Sequence, residues 1–282
     1  MLRGARSVTI VEGLLMEEIK GSLITLETLA ADFRTLGVTE GMTVLLHSSF
    51  KSLGQFVVGG PAAVILALEK VLGEEGTLVM PTQSSDLSDP AGWSNPPVPE
   101  AWWQTIREQT PAYDPDLTPL RGMGIIPDTF RRQKGVKRSS HPLSSFAAWG
   151  RYRDDIVDGH SLEYAFGEHS PLARIYDLNG SILMLGVDNL SNTSLHLSEH
   201  RAAYAGKQEI TAGAPMMADG TRQWVEFRDY NWNCDDFEAI AEDFQHDTGR
   251  ITYGTIASAK AQLIPQREIV DYGVEWLKCK RK

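Results

Sequence analysis

The 282-residue chain has only two cysteines, Cys234 and Cys279. That excludes a disulfide scaffold and any zinc or iron–sulfur site built on cysteine. Long apolar runs are missing too; nothing approaches the roughly 18 residues that cross a bilayer. Glu12, Glu17 and Glu18 break the stretch after Arg3 and Arg6, so the opening does not read as a signal peptide. A cytoplasmic protein with no membrane partner is expected. Positive charge is in deficit, with 27 Lys and Arg against 37 Asp and Glu and a formal net charge of −10. This balance disfavours a protein that tracks nucleic-acid phosphates and suits a polycationic ligand. Repeats, low-complexity tracts and linkers are also absent. A chain this long buries a sizeable core unaided, and one compact domain over 1–282 is expected.

The patterning that is present is α/β. Leu23, Leu26, Leu29, Ala30 and Phe33 recur at helical spacing over 22–36, and Gly37 follows as a stop. Thr43–Ser49 and Gly76–Pro81 are short apolar runs of buried-strand type, with a helix over 61–72 between them. Strand, helix and strand at this spacing imply a parallel pair. Further on, the pattern predicts helices over 125–132, 193–204, 234–246 and 266–279. Strands are predicted over 144–149 and 181–187, with antiparallel strands within 208–229. Segment 83–120 differs, being rich in proline and carrying Trp93, Trp102 and Trp103. Long connections of this kind are often functional, so it reads as a substrate-facing insertion. A surface excursion pinned by its tryptophans is the plain alternative.

The densest chemistry follows the strand over 181–187, where α/β proteins place their sites. His196, Glu199 and His200 share one helical face there. They match the H-x-x-E-H pattern of inverted zinc peptidases, with Asp229, Asp235, Glu238 or Glu242 eligible as a third ligand. Alternatively His196 is a lone general base, kept neutral by the positive end of its helix. A solvated helix face remains the plain reading. A second candidate is the loop His47, Ser48, Ser49, Lys51, Ser52 and Gly54, whose small residues would let backbone N–H groups approach an anion. It is no Walker loop, since G-x-x-x-x-G-K-S/T is lacking. A third is the basic run Arg131, Arg132, Lys134, Lys137 and Arg138, leading into Ser139 and His141; a phosphate-bearing cofactor would suit it. Arg121–Ile126 falls short of the pyrophosphate loop R-x-x-G-x-G/A, because Ile126 fills the small position. No G-x-S-x-G elbow exists, which argues against a serine hydrolase.

Taken in order, these pieces resemble the aminoglycoside 3-N-acetyltransferase family. The resemblance rests on Leu46–Gly54, Gly76–Pro81, Arg138–Pro142, Gly167–Pro171, Leu183–Val187 and Thr193–Glu199. It implies a three-layer α/β/α fold with a central mixed sheet, distinct from the general N-acetyltransferase fold. It further implies acetyl transfer from acetyl-coenzyme A to the 3-amino group of 2-deoxystreptamine aminoglycosides, conferring resistance. No metal is implied, which decides against the zinc reading. By position the catalytic base is His196, and its supporting carboxylate is Asp229, with Glu199 as possible helper. Relatives often carry a second acid where this chain has Asn231, and many have glycine where it has His169, so His169 receives no role. The coenzyme A side would use His47, Ser48, Ser49, Lys51, Ser52, Gly54, Arg138, Ser139 and His141. Acceptor ammonium groups would meet Asp86, Asp89, Trp93 and Glu199. Backbone N–H groups over Asn192–Ser194 are candidates for the oxyanion. Transfer to another small amine is the alternative activity. Oligomeric state stays open, a homodimer included.

Overall fold

The computed structural model describes residues 8–11, 14–17, 21, 23–54 and 56–281, with side chains from residue 21 onward. Arg3, Arg6, Glu12, Glu18 and Ser22 lie outside the described residues. In chain order the elements are β1 (Val8–Val11), β2 (Leu14–Glu17), α1 (Leu26–Leu36), β3 (Thr43–Ser48), α2 (Pro61–Leu72), β4 (Thr77–Pro81) and α3 (Glu100–Gln109). There follow α4 (Ile125–Phe130), β5 (Lys137–Arg138), β6 (Phe146–Gly150), α5 (Arg153–Val157), α6 (Pro171–Asp177), β7 (Ser181–Leu185) and α7 (Leu195–Arg201). The chain ends through β8 (Glu209–Ala218), β9 (Thr221–Tyr230), α8 (Phe237–Thr248), β10 (Thr252–Ile256), β11 (Ala259–Pro265) and α9 (Gln266–Lys280).

Seven strands form one mixed sheet in the order β10-β11-β7-β3-β4-β6-β5. The central β7, β3 and β4 run parallel, and the flanking pairs are antiparallel. Side chains on a strand alternate between faces, and this alternation sorts the core into layers. Val44, Leu46, Leu78, Met80, Leu183 and Leu185 face a cluster with Leu29 and Phe33 of α1 and Val64 and Leu68 of α2. Leu45, Val79, Phe146 and Ala148 face the other way, toward α5, α6 and α9. Ile182 and Met184 join Leu195, Phe237, Phe244 and Ile269 on that same side. Helices therefore cover both faces, giving the three-layer α/β/α fold with a central mixed sheet. Because both faces are covered, β3 and β4 read as unbroken apolar runs rather than alternating ones.

Several helix ends differ from the sequence reading, among them those of α1, α4, α7 and α8. α1 starts at Leu26, because Thr25 and Thr28 cap it reciprocally. α7 is shorter than 193–204, since Asn192 Oδ1 takes the Ser194 N–H and Ser198 O takes that of Ala202. The insertion over 83–120 holds helix α3 and two short 3₁₀ turns. Arg107 ties α3 to Asp89 at 2.7 Å, and the Tyr113 N–H donates to Pro215 O of β8 at 2.8 Å. The insertion is thus packed against the β8–β9 hairpin. No described helix is long and apolar enough to cross a membrane.

Candidate active site

The site sits beyond the carboxyl ends of the three parallel strands. β3 contributes Leu46, His47 and Ser48, β4 contributes Pro81, and the turn after β7 contributes Val187, Leu190, Ser191 and Thr193. With His196, Phe166, Gln83, Met123 and Cys234 they enclose a cavity of about 330 Å³. Gly186 makes the β7 exit possible. Its φ is +67°, and a Cβ there would lie 2.3 Å from the Ser52 Cβ. The close approach lets Ser52 Oγ donate to Gly186 O at 2.9 Å, stitching the loop after β3 to the loop after β7.

His196 is the second residue of α7. Its Nδ1 lies 2.5 Å from Glu199 Oε2, one helical turn on. Phe166 stacks on the imidazole at 4.8 Å between centroids and 13° between planes, while Phe237 and Trp232 pack at its edges. Glu199 is fully buried. Burial pushes its carboxyl up, but hydrogen bonds and charge from His196 and Arg281 outweigh burial and hold it below the ordinary range. An ionised carboxylate only accepts, so the proton of the shared bond sits on Nδ1, and the lone pair of the neutral ring falls on Nε2. Beside it, His47 Nε2 is 3.3 Å from Thr193 Oγ1. Burial, then the charge of His196, lowers the His47 pKa to about 3, so this ring is neutral.

The expected site residues separate into those that meet and those that do not. His47, Ser48 and His196 share the cavity. Asp229 was the expected partner of His196, yet the Nδ1 hydrogen bond goes to Glu199 instead. Asp229 lies on β9, buried, accepting from the Tyr230 N–H at 2.8 Å. Burial raises its pKa to about 6 against that hydrogen bond. Glu199 cannot also bind a substrate ammonium, because both its oxygens are engaged and no part of it is exposed. Of the suggested oxyanion donors, the Asn192 N–H already bonds Asn189 O and the Ser194 N–H bonds Asn192 Oδ1.

The basic run needs a larger correction. Arg138 is buried and spends all five N–H groups on Ser145 Oγ, Pro115 O, Thr118 O, Thr82 O and Ser84 Oγ. It binds the insertion to β4 and leaves nothing for a phosphate. Arg131 and Arg132 pair with Asp128, and Lys137 pairs with Asp154 and Asp158. Ser139 Oγ meets His160 Nδ1 at 3.0 Å, and His141 accepts from the Leu143 and Ser144 N–H groups. Ser139 and His141 are buried, structural groups. Lys51 and Gly54 are exposed on the turn after β3. Ser49 lies between them and β3, with its N–H on Leu185 O. Asp86 and Trp93 share a separate cleft of about 510 Å³ that also holds Arg121. Asp86 is ion-paired to Arg121 at 3.5 Å, and Asp89 to Arg107 at 2.7 Å. Gly122 and Met123, next in sequence to Arg121, line the His196 cavity.

The zinc geometry is not formed: no three His, Cys, Asp or Glu side chains among the described residues converge as donors. Sequence reasoning missed Phe166, Trp232 and Arg281. Phe166 adjoins the Gly167–Pro171 stretch that carried the resemblance, a usable signal; Arg281 had none.

Comparison with known proteins bears on what this arrangement serves. The family model for aminoglycoside 3-N-acetyltransferase matches residues 45–278. The SPbeta prophage-derived aminoglycoside N(3')-acetyltransferase-like protein YokD of Bacillus subtilis is 44% identical, over 89% of this chain and 92% of that protein. Its crystal structure superposes with a TM-score of 0.89, covering 92% of this chain and 95% of that one. AAC-IIIb in binary complex with CoASH is 30% identical, with a TM-score of 0.81 over 92% of this chain and 98% of that one. Sisomicin-bound AAC-VIa is also 30% identical, with a TM-score of 0.82 over 93% of this chain and 100% of that one. By sequence and by fold, the chain belongs to the aminoglycoside 3-N-acetyltransferase family.

Proposed function

We propose that the protein transfers an acetyl group from acetyl-coenzyme A to the 3-amino group of a 2-deoxystreptamine aminoglycoside, in the cytoplasm, and so confers resistance. The observation that carries this reading is His196, lining a cavity at the carboxyl ends of β3, β4 and β7 and held from behind by buried Glu199. An amine protonated at neutral pH cannot attack a thioester until its proton is removed. His196 Nε2 takes that proton, and the imidazolium is stabilised by the Glu199 carboxylate. The freed nitrogen attacks the carbonyl carbon; the C–N bond forms, the C–S bond breaks, the thiolate takes the proton held by His196, and the second proton of the acetylated nitrogen leaves to solvent, giving the neutral amide and the thiol. Ring stacking on Phe166 holds Nε2 in one direction throughout.

Relatives bound to CoASH and to sisomicin support both substrates. The turn His47–Gly54, with exposed Lys51, faces the coenzyme A end in this reading, and the insertion faces the acceptor. A second reading, acetylation of another small amine, is favoured by the Asp86–Arg121 pair, which occupies a carboxylate that an ammonium would need. The test follows thiol release from acetyl-coenzyme A over a panel of 2-deoxystreptamine aminoglycosides and simple amines, and identifies the modified nitrogen by NMR. Acetylation at the 3-amino group is the expected product. Turnover with simple amines alone would move the assignment to the second reading.

A further inference from the structure

We propose that Arg281 is a positioning residue for the acyl-transfer base, clamping Glu199 so that His196 Nε2 stays free to accept a proton. The inference rests on the reading of His196 as that base. α9 delivers the residue. It packs on α7, where Ser198 Oγ donates to Val270 O at 2.9 Å. Gly273 permits that approach, since a Cβ there would come within 2.7 Å of Ser198 Oγ. Past Lys280 the chain lays Arg281 over the Tyr204 ring, 4.9 Å from its centroid. Asp236 then fixes the guanidinium, accepting from Nε at 2.9 Å and from Nη2 at 2.6 Å, while Asn233 O accepts from Nη2 at 2.6 Å. The remaining arm, Nη1, donates to Glu199 Oε1.

The two oxygens of Glu199 therefore do different work. Oε1 accepts from Arg281 and from the Asn233 N–H at 3.1 Å, and Oε2 takes the His196 Nδ1 proton. This locks the carboxylate against rotation and supplies its countercharge. Among the described residues, no cation besides His196 and Arg281 contacts Glu199. Lys207 is committed to His200 O and Ala202 O at 2.6 and 3.1 Å. The other titratable groups whose charge reaches Glu199 are Tyr204 and Cys234, and neither is cationic. Asp236, which anchors Arg281, is itself an anion. Without Arg281 a buried carboxylate would stand unbalanced and take up a proton. A protonated Glu199 donates to Nδ1, which puts the ring proton on Nε2 and removes the base. Position 281 lies outside the stretch 45–278 that the family model matches, so the clamp is read from this chain's own geometry.

The experiment compares wild type, Arg281→Ala and Arg281→Lys by steady-state acetyl transfer across pH, with guanidinium chloride added at millimolar concentration. In parallel, ¹⁵N NMR of histidine-labelled protein reads the His196 tautomer, assigned with His196→Gln. Part of the roughly 10²–10⁴-fold from a positioned base is at stake, so kcat should fall on the order of 10- to 100-fold with KM little changed. The acid limb should move to higher pH, and guanidinium should restore activity to Arg281→Ala. Arg281→Lys should recover only part, having charge but no fork. In Arg281→Ala the ring proton should move toward Nε2. Unchanged kcat and tautomer in Arg281→Ala would overturn the clamp. An inert wild type would overturn the functional reading instead, and the tautomer comparison would still decide the clamp.

Discussion

The His196 imidazole is held at Nδ1 by Glu199, across its face by Phe166, and at its edges by Trp232 and Phe237. A base so confined depends on its hydrogen-bonded carboxylate more than on any acid merely nearby. Glu199→Gln should therefore lower kcat by about 10²-fold or more, the lower end of what general-base catalysis supplies. Asp229→Asn should cost clearly less, and steady-state kinetics on the two variants separates them. Equal losses would restore Asp229 as the supporting carboxylate that the family resemblance implies. Asp229 also carries a pH signature. Its pKa is raised by burial to about 6, so the folded state holds this proton more tightly than the unfolded chain. Stability then falls as pH rises from about 4 through 6, and Asp229→Asn should raise the urea midpoint at pH 8 more than at pH 5. The i, i+3 spacing of His196 and Glu199 was legible from sequence alone. Which acid takes the Nδ1 proton was not, because it depends on how β9 and α9 pack onto α7.

Among the elements, the insertion and its anchor show where pattern reading misleads. Arg138 sits in a basic run, and such runs suggest phosphate; here its fork is consumed by the carbonyls and hydroxyls that fasten 83–120 to β4. Lysine offers three donors in place of five, so Arg138→Lys leaves buried acceptors unpaired and should cost about 2 kcal/mol or more. Urea denaturation measures that. A phosphate-binding arginine would instead raise KM for acetyl-coenzyme A and leave stability alone. The strands β3, β4 and β7 were legible because both faces are buried and each carries an uninterrupted apolar stretch. Strands β10 and β11 were not. β11 carries Ala259, Lys260, Ala261 and Gln262, poor strand formers, and owes its conformation to pairing with β7. Helices α5 and α6, at 5 and 7 residues, are too short to show a helical period.

Across the whole molecule, three buried histidines set the response to acid. Burial lowers the pKa of His47 and His141 to about 3 and that of His160 to about 4. Each sits below the ordinary value, so the unfolded chain binds more protons as pH drops under about 6.5. The stability they contribute is complete at neutral pH and is lost on acidification, by up to about 1.4 kcal/mol per pH unit for each group. Urea midpoints between pH 7.5 and 5 should fall steeply, and His160→Gln should flatten the slope. The net charge of −10 acts at longer range. It should draw a polycationic acceptor inward, so KM for an aminoglycoside should rise with ionic strength while kcat holds. Fold and charge together only frame the chemistry, which the account places at one imidazole. The most direct test is aminoglycoside-dependent thiol release from acetyl-coenzyme A by wild type and by folded His196→Ala. Release by wild type is expected, and its loss by about 10²-fold or more in the variant. Wild-type turnover in His196→Ala would contradict it.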